Sequence, residues 1–99
     1  MELVNITNRD KIVQIIAKKV YTNNGGIKLI LCKPYVWKEN RASIQPGWWI
    51  MEYYTGLMIT WGDTINETIA YVDKFLSERN VLTVADMNKL LDGQKRINL

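Results

Sequence analysis

Residues 11–22, Lys11-Ile12-Val13-Gln14-Ile15-Ile16-Ala17-Lys18-Lys19-Val20-Tyr21-Thr22, decide the fold, because they read either as a helix or as a strand. Ile12, Val13, Ile16, Ala17 and Val20 fall on one helical arc, with Lys11, Gln14 and Lys18 opposite. Thr7 followed by Asp10 is a variant of the capping box, with Asp in place of the usual Glu or Gln. Asn23-Asn24-Gly25-Gly26 makes a good stop, since Asn and Gly tolerate a left-handed backbone. This spacing predicts a helix over residues 8–22, with Ile15 at its polar edge. The competing reading is a strand, because Ile12, Val13, Ile15, Ile16 and Val20 are all β-branched. Alternation is poor, and the helix is the preferred reading.

Downstream, Ile27-Lys28-Leu29-Ile30-Leu31-Cys32-Lys33 reads as a strand ended by Pro34, with Tyr35, Val36 and Trp37 extending it past a bulge. Residues 38–47, KENRASIQPG, are polar and read as a loop. Trp48 to Tyr54 and Leu57 to Trp61 read as two strands flanking a Thr55-Gly56 turn. Thr64 with Glu67 forms a second capping box, followed by Ile65, Ile69, Val72 and Leu76 at helical spacing. Thr83 with Asp86 starts a short last helix that stops at Gly93, and Gln94 to Leu99 reads as a frayed tail. The expected fold is α+β: a helix, a three-stranded antiparallel sheet, then two helices packed on one sheet face.

That element order resembles double-stranded-RNA-binding domains and the three-stranded arm-type DNA-binding domains of some integrases. The resemblance is one of topology alone. Where double-stranded-RNA-binding domains carry a lysine cluster, this chain has the acidic Asp63-Thr64-Ile65-Asn66-Glu67. Gly62-Asp63-Thr64 with Glu67 also resembles the strand-to-helix junction of HicB-type antitoxins, and a capped helix start explains it equally well. No family follows from either likeness.

The 99 residues are expected to form one domain, 1–99, with one modest core. A composition of 47% hydrophobic and 23% charged residues excludes wholesale disorder. There is no histidine, which removes the usual general base and the commonest metal ligand. The one cysteine, Cys32, allows no intramolecular disulfide and suits a reducing cytoplasm. It reads as a small apolar strand residue rather than a nucleophile. The N-terminus shows no secretory signal, and no apolar run is long enough to span a membrane. Twelve isoleucines, nine asparagines and nine lysines suit an A/T-rich genome, and a small chain of that kind suits phage or mobile-element cargo.

A two-residue turn would pair Tyr54 with Leu57, Glu52 with Ile59 and Ile50 with Trp61. One face then holds Trp48, Ile50, Glu52, Tyr54, Leu57, Ile59 and Trp61, the better core candidate. The other holds Trp49, Met51, Tyr53 and Met58, with Ile30 beside them. A sheet covered by helices on one side should be polar on the other, and this one is not. The apolar second face therefore reads as a docking or self-association surface, unless a terminal helix wraps over it. Glu52 among apolar neighbours reads as a carboxylate paired with a lysine such as Lys33 rather than a catalytic acid. Asp63 and Glu67 read as helix-start acids rather than metal ligands.

Charge is uneven. Residues 9–41 hold eight basic and two acidic residues, a net of +6. Lys11, Lys18, Lys19, Lys28, Lys33, Lys38 and Arg41, interleaved with Trp37, suit nucleic acid. The expectation is a non-enzymatic binding module without cofactor or metal, docking on a protein or nucleoprotein partner as an inhibitor or accessory factor would, with self-association as one form. The alternative is direct binding of double-stranded nucleic acid through the basic N-terminal half.

Overall fold

The computed structural model describes residues 2–39 and 41–99. The elements run β1 (Glu2–Asn8), β2 (Lys11–Ala17), β3 (Lys19–Thr22), β4 (Lys28–Cys32), β5 (Tyr35–Lys38), β6 (Arg41–Ile44), β7 (Trp48–Glu52), β8 (Met58–Gly62), α1 (Ile65–Glu78) and α2 (Val84–Leu90). The centre is an antiparallel sheet in the order β3-β4-β7-β8; β1–β2 and β5–β6 are separate two-stranded hairpins.

The first element is thus a hairpin, not a helix, and the expected helix-first, three-stranded fold is wrong. Along β2, Val13, Ile15 and Ala17 point inward while Ile12, Gln14 and Ile16 point to solvent. The alternation was there, but isoleucines on the outer face disguised it. Arg9 takes the left-handed conformation (φ 56°) and turns the chain where a helix cap was expected. The Thr7 hydroxyl donates to the carbonyl of Thr55 instead of capping. The expected loop at 38–47 also contains a strand, β6, paired residue by residue with β5. Asn40, part of that expected loop, lies outside the described residues.

β4 organises the core because both of its faces are buried. Leu29 and Leu31 join Ile27, Ile50, Val72, Leu76, Val81 and Met87 in a cluster under the helices. Ile30 and Cys32 join Val4, Ile6, Ile15, Ala17, Met51 and Tyr53 in a second cluster under the β1–β2 hairpin. A continuous apolar run such as 29–32 is what a strand buried on both faces requires. The apolar second face is therefore not open: Ile30 is 0% and Met51 1% exposed.

The β7–β8 register also differs from the expected one. Ile50 faces Thr60, Trp49 faces Trp61 and Met51 faces Met58, with a bulge that leaves Ile59 as the extra residue. The shift carries Trp61 off the expected core face and leaves it 66% exposed. Both helix starts match the expectation, with Thr64 accepting from the Glu67 N–H and Thr83 forming a complete capping box with Asp86.

The tail is not frayed. Asn98 is buried, and its carboxamide behaves like the peptide of a neighbouring strand: Oδ1 accepts the Asn5 N–H (2.9 Å) and Nδ2 donates to the Asn5 carbonyl (2.7 Å). Nδ2 also reaches the Tyr53 carbonyl (2.6 Å), and the Ile97 N–H reaches that of Tyr54 (2.6 Å). Gly56 lies against β1, where a Cβ would come within 2.7 Å of the Ile6 Cα, and its φ of +68° favours glycine.

Two stability measurements check this account. Asn98→Leu strands the polar groups of Asn5 and Tyr53 and should cost about 2 kcal/mol in urea unfolding. Thr64→Ala should cost about 1 kcal/mol, the usual loss of an N-cap. An Asn98 variant as stable as the parent would show that the tail holds nothing.

Candidate functional site

The β1–β2 hairpin covers the sheet only as far as its turn, and beyond the turn lies β5. Between them opens a cleft of about 520 Å³, lined by Asn8, Arg9, Asp10 and Lys11 on one side and by Tyr35, Val36, Trp37 and Trp49 on the other. Tyr35 and Trp37 stand two residues apart on one face of the ribbon, so their rings stack, with centroids 5.6 Å apart and planes at 26°. Trp49 follows from pairing with Cys32 at the foot of the ribbon. All three rings are half-buried and pack against the fully buried second cluster. The β5–β6 ribbon carries Lys38 opposite Arg41 at its end, on the face away from Trp37, and every described β6 side chain is exposed.

The eight basic and aromatic residues expected to bind nucleic acid are not all gathered here. Lys11 and Trp37 line the cleft, and Lys38 and Arg41 sit at the end of the ribbon. Lys18 and Lys19 lie where the chain passes from β2 to β3, and Lys19 sits 5.6 Å from the Tyr21 ring centroid. Lys33 lies 4.3 Å over Trp48. Lys28 is at the opposite end of the sheet, 3.9 Å over Tyr53. Arg9 counts toward the basic segment but not among the expected site residues, because a helix over 8–22 gives it no reason to face Trp37.

Of the residues expected to dock a partner, Ile30, Met51 and Tyr53 are buried under β1–β2 and Trp49 is half-buried in the cleft. Met58, 46% exposed, is the one left on the surface. It lies near Trp61 on β8, the edge strand of the central sheet.

The remaining candidates have structural roles. Glu52 forms no bridge to Lys33; its carboxylate accepts the Tyr54 and Thr55 N–H groups and the Thr55 hydroxyl, closing the turn after β7. The Glu67 carboxylate accepts the Tyr71 hydroxyl (2.7 Å), which holds it below the usual carboxylate range. Among the described residues, no three His, Cys, Asp or Glu side chains gather as a metal site. Among them too, no helix is long and apolar enough to cross a membrane. A second cleft, of about 480 Å³, runs between Tyr21 to Gly25 and Asp73, Ser77 and Leu82. Burial, and then the charge of Asp73, pushes the Tyr21 phenol up to about 12.

Comparison with known proteins finds no matching family, no matching curated protein and no matching solved structure.

Burial also pushes the Cys32 thiol up to about 12. Its thiolate is therefore scarce, and thiolate is the reactive form. Alkylation by iodoacetamide in mildly alkaline buffer, followed by mass spectrometry, should run roughly a hundredfold or more slower on the folded chain than on the urea-unfolded one. Equal rates would mean that the second cluster is open to solvent.

Proposed function

We propose that the chain is a non-catalytic nucleic-acid-binding domain that lays its β5–β6 ribbon in a duplex groove and braces the duplex with the β1–β2 turn. The observation that carries this reading is how its cations are used. Lys19, Lys28, Lys33, Arg79 and Arg96 each lie over an aromatic ring, and Lys74 pairs with Glu78. Among the described residues, seven cations have neither a ring nor a carboxylate partner, Lys18, Lys89 and Lys95 among them, and the other four, Arg9, Lys11, Lys38 and Arg41, flank one cleft and its ribbon. A two-stranded ribbon fits the major groove, which is about 12 Å wide. On the ribbon, Lys38 and Arg41 reach phosphates along one strand, and Arg9 and Lys11 reach the other. Phosphate contacts of this kind position a protein without reading sequence.

A second reading, docking on a protein or nucleoprotein partner or on another copy of this chain, draws on Met58, Trp61 and Tyr71, which stay exposed beside edge strand β8.

Four phosphate contacts give a slope of log K on log salt of about −3.6, with affinity near the non-specific 10⁻⁴–10⁻⁶ M. Lys38→Glu with Arg41→Glu should flatten that slope by about 2 and weaken every duplex sequence alike, while Lys89→Glu on α2 should change it far less. Fluorescence anisotropy at several salt concentrations measures both. Absence of binding at ~50 mM salt, or indifference to the double reversal, would leave the docking reading in its place.

A further inference from the structure

We propose that the cleft between the β1–β2 turn and β5 takes an unpaired nucleobase, so that the preferred ligand is a duplex carrying a single-stranded overhang. This rests on the nucleic-acid reading above. A duplex grip needs only cations on a ribbon; it gives no reason for three half-buried rings, Tyr35, Trp37 and Trp49, around one opening. Three rings around one concave opening form a contiguous apolar patch, the kind of surface that marks a binding groove. The neighbouring Ile30, Cys32 and Met51 show that this core can close completely.

The size of the cleft decides what can enter. About 520 Å³ is the scale of a small-ligand site, room for roughly one or two bases but not for paired strands. The Tyr35–Trp37 stack offers a flat π face that any base can extend, and stacking of this kind is tolerant of sequence. Arg9 and Lys11 on the facing wall supply cations for the phosphate that accompanies the base. The Asn8 carboxamide and the Asp10 carboxylate line the same wall and can meet donors and acceptors on the base edge. Lys38 and Arg41 lie on the ribbon face opposite Trp37, so a base stacked on Trp37 does not displace their phosphates, and Arg9 and Lys11 hold the duplex strand from which the overhang continues into the cleft.

The test compares three DNA probes of one sequence: a blunt duplex, the same duplex with a short thymine overhang, and the single strand alone. One overhang position carries 5-iodouracil, which photo-cross-links to aromatic side chains stacked on it. The overhang duplex is expected to bind at least fivefold tighter than the blunt one. The cross-link is expected on Tyr35, Trp37 or Trp49 by mass spectrometry. Trp37→Ala should remove most of the overhang's gain, bringing the overhang duplex close to the blunt one and leaving blunt-duplex binding unchanged, while Trp37→Phe retains most of it. The cross-link on the unaltered chain needs no variant, so poor folding of Trp37→Ala does not blunt the test. Equal binding of blunt and overhang duplexes, with no cross-link in the cleft, overturns this inference and leaves the duplex grip standing. Failure of all three probes to bind overturns the duplex grip and this inference together.

Discussion

The double burial of β4 is the constraint on which the rest depends. Leu29 and Leu31 point one way, Ile30 and Cys32 the other, and all four are buried. Each fully buried aliphatic is worth about 1.5–3 kcal/mol, so neither face can be left in water. Helices α1 and α2 cover one face. They are short and follow β8, so they cannot also reach round to the other. Covering the second face falls to the N-terminal hairpin, which leaves β3 at Lys18, where the Lys18 N–H still bonds to the Leu31 carbonyl (2.9 Å), and lies over Ile30 and Met51.

A two-stranded hairpin is marginal by itself in water. This one is held from outside by the tail and by the turn after β7. Asn98 occupies the free edge of β1 at Asn5, and the Thr7 N–H bonds to the Gly56 carbonyl at 2.9 Å. Glu52 fixes the shape of that turn with three acceptor contacts. A buried carboxylate, a glycine and the penultimate residue of the chain thus serve one purpose, to seat the hairpin.

How legible this was follows from the kind of signal each element carries. The helices were clear because their caps are local chemistry: Thr64 and Thr83 mark helix starts whatever the tertiary context. The apolar run through β4 was clear as well, and so was the two-sided apolar character of the sheet. What covered the second face was not. Residues 11–22 carry isoleucines on both sides of the strand, and Ile12 and Ile16 are outside for no reason visible in the chain itself. Reading them as a helix removed the hairpin, then the Arg9 turn, then one wall of the cleft. The β7–β8 register differs for another reason: the bulge at Ile59 inserts one unpaired residue, which period-2 counting from the turn cannot see. The other wall and its ribbon are legible in part, since Trp37, Lys38 and Arg41 interleave aromatic and basic character whether or not 41–44 forms a strand.

The seating of the hairpin and the geometry of the cleft are one problem. Thr7, bonded to the Thr55 and Gly56 carbonyls, stands two residues before Arg9, so the anchor of the hairpin also sets the wall that carries Arg9 and Lys11. The opposite wall is set separately, by the pairing of β5 with β6 and by the contact of Tyr35 and Trp37 with the second cluster. Both walls rest on that cluster, and a ligand that bridges them must find both in place. Preorganised walls lower the ordering cost of binding. The buried contacts of Val4, Ile6 and Ile15 with Ile30 and Met51 therefore matter to the site although none of them lines it. The residues that stabilise the fold most are the same ones that hold the aromatic and basic walls at a fixed spacing.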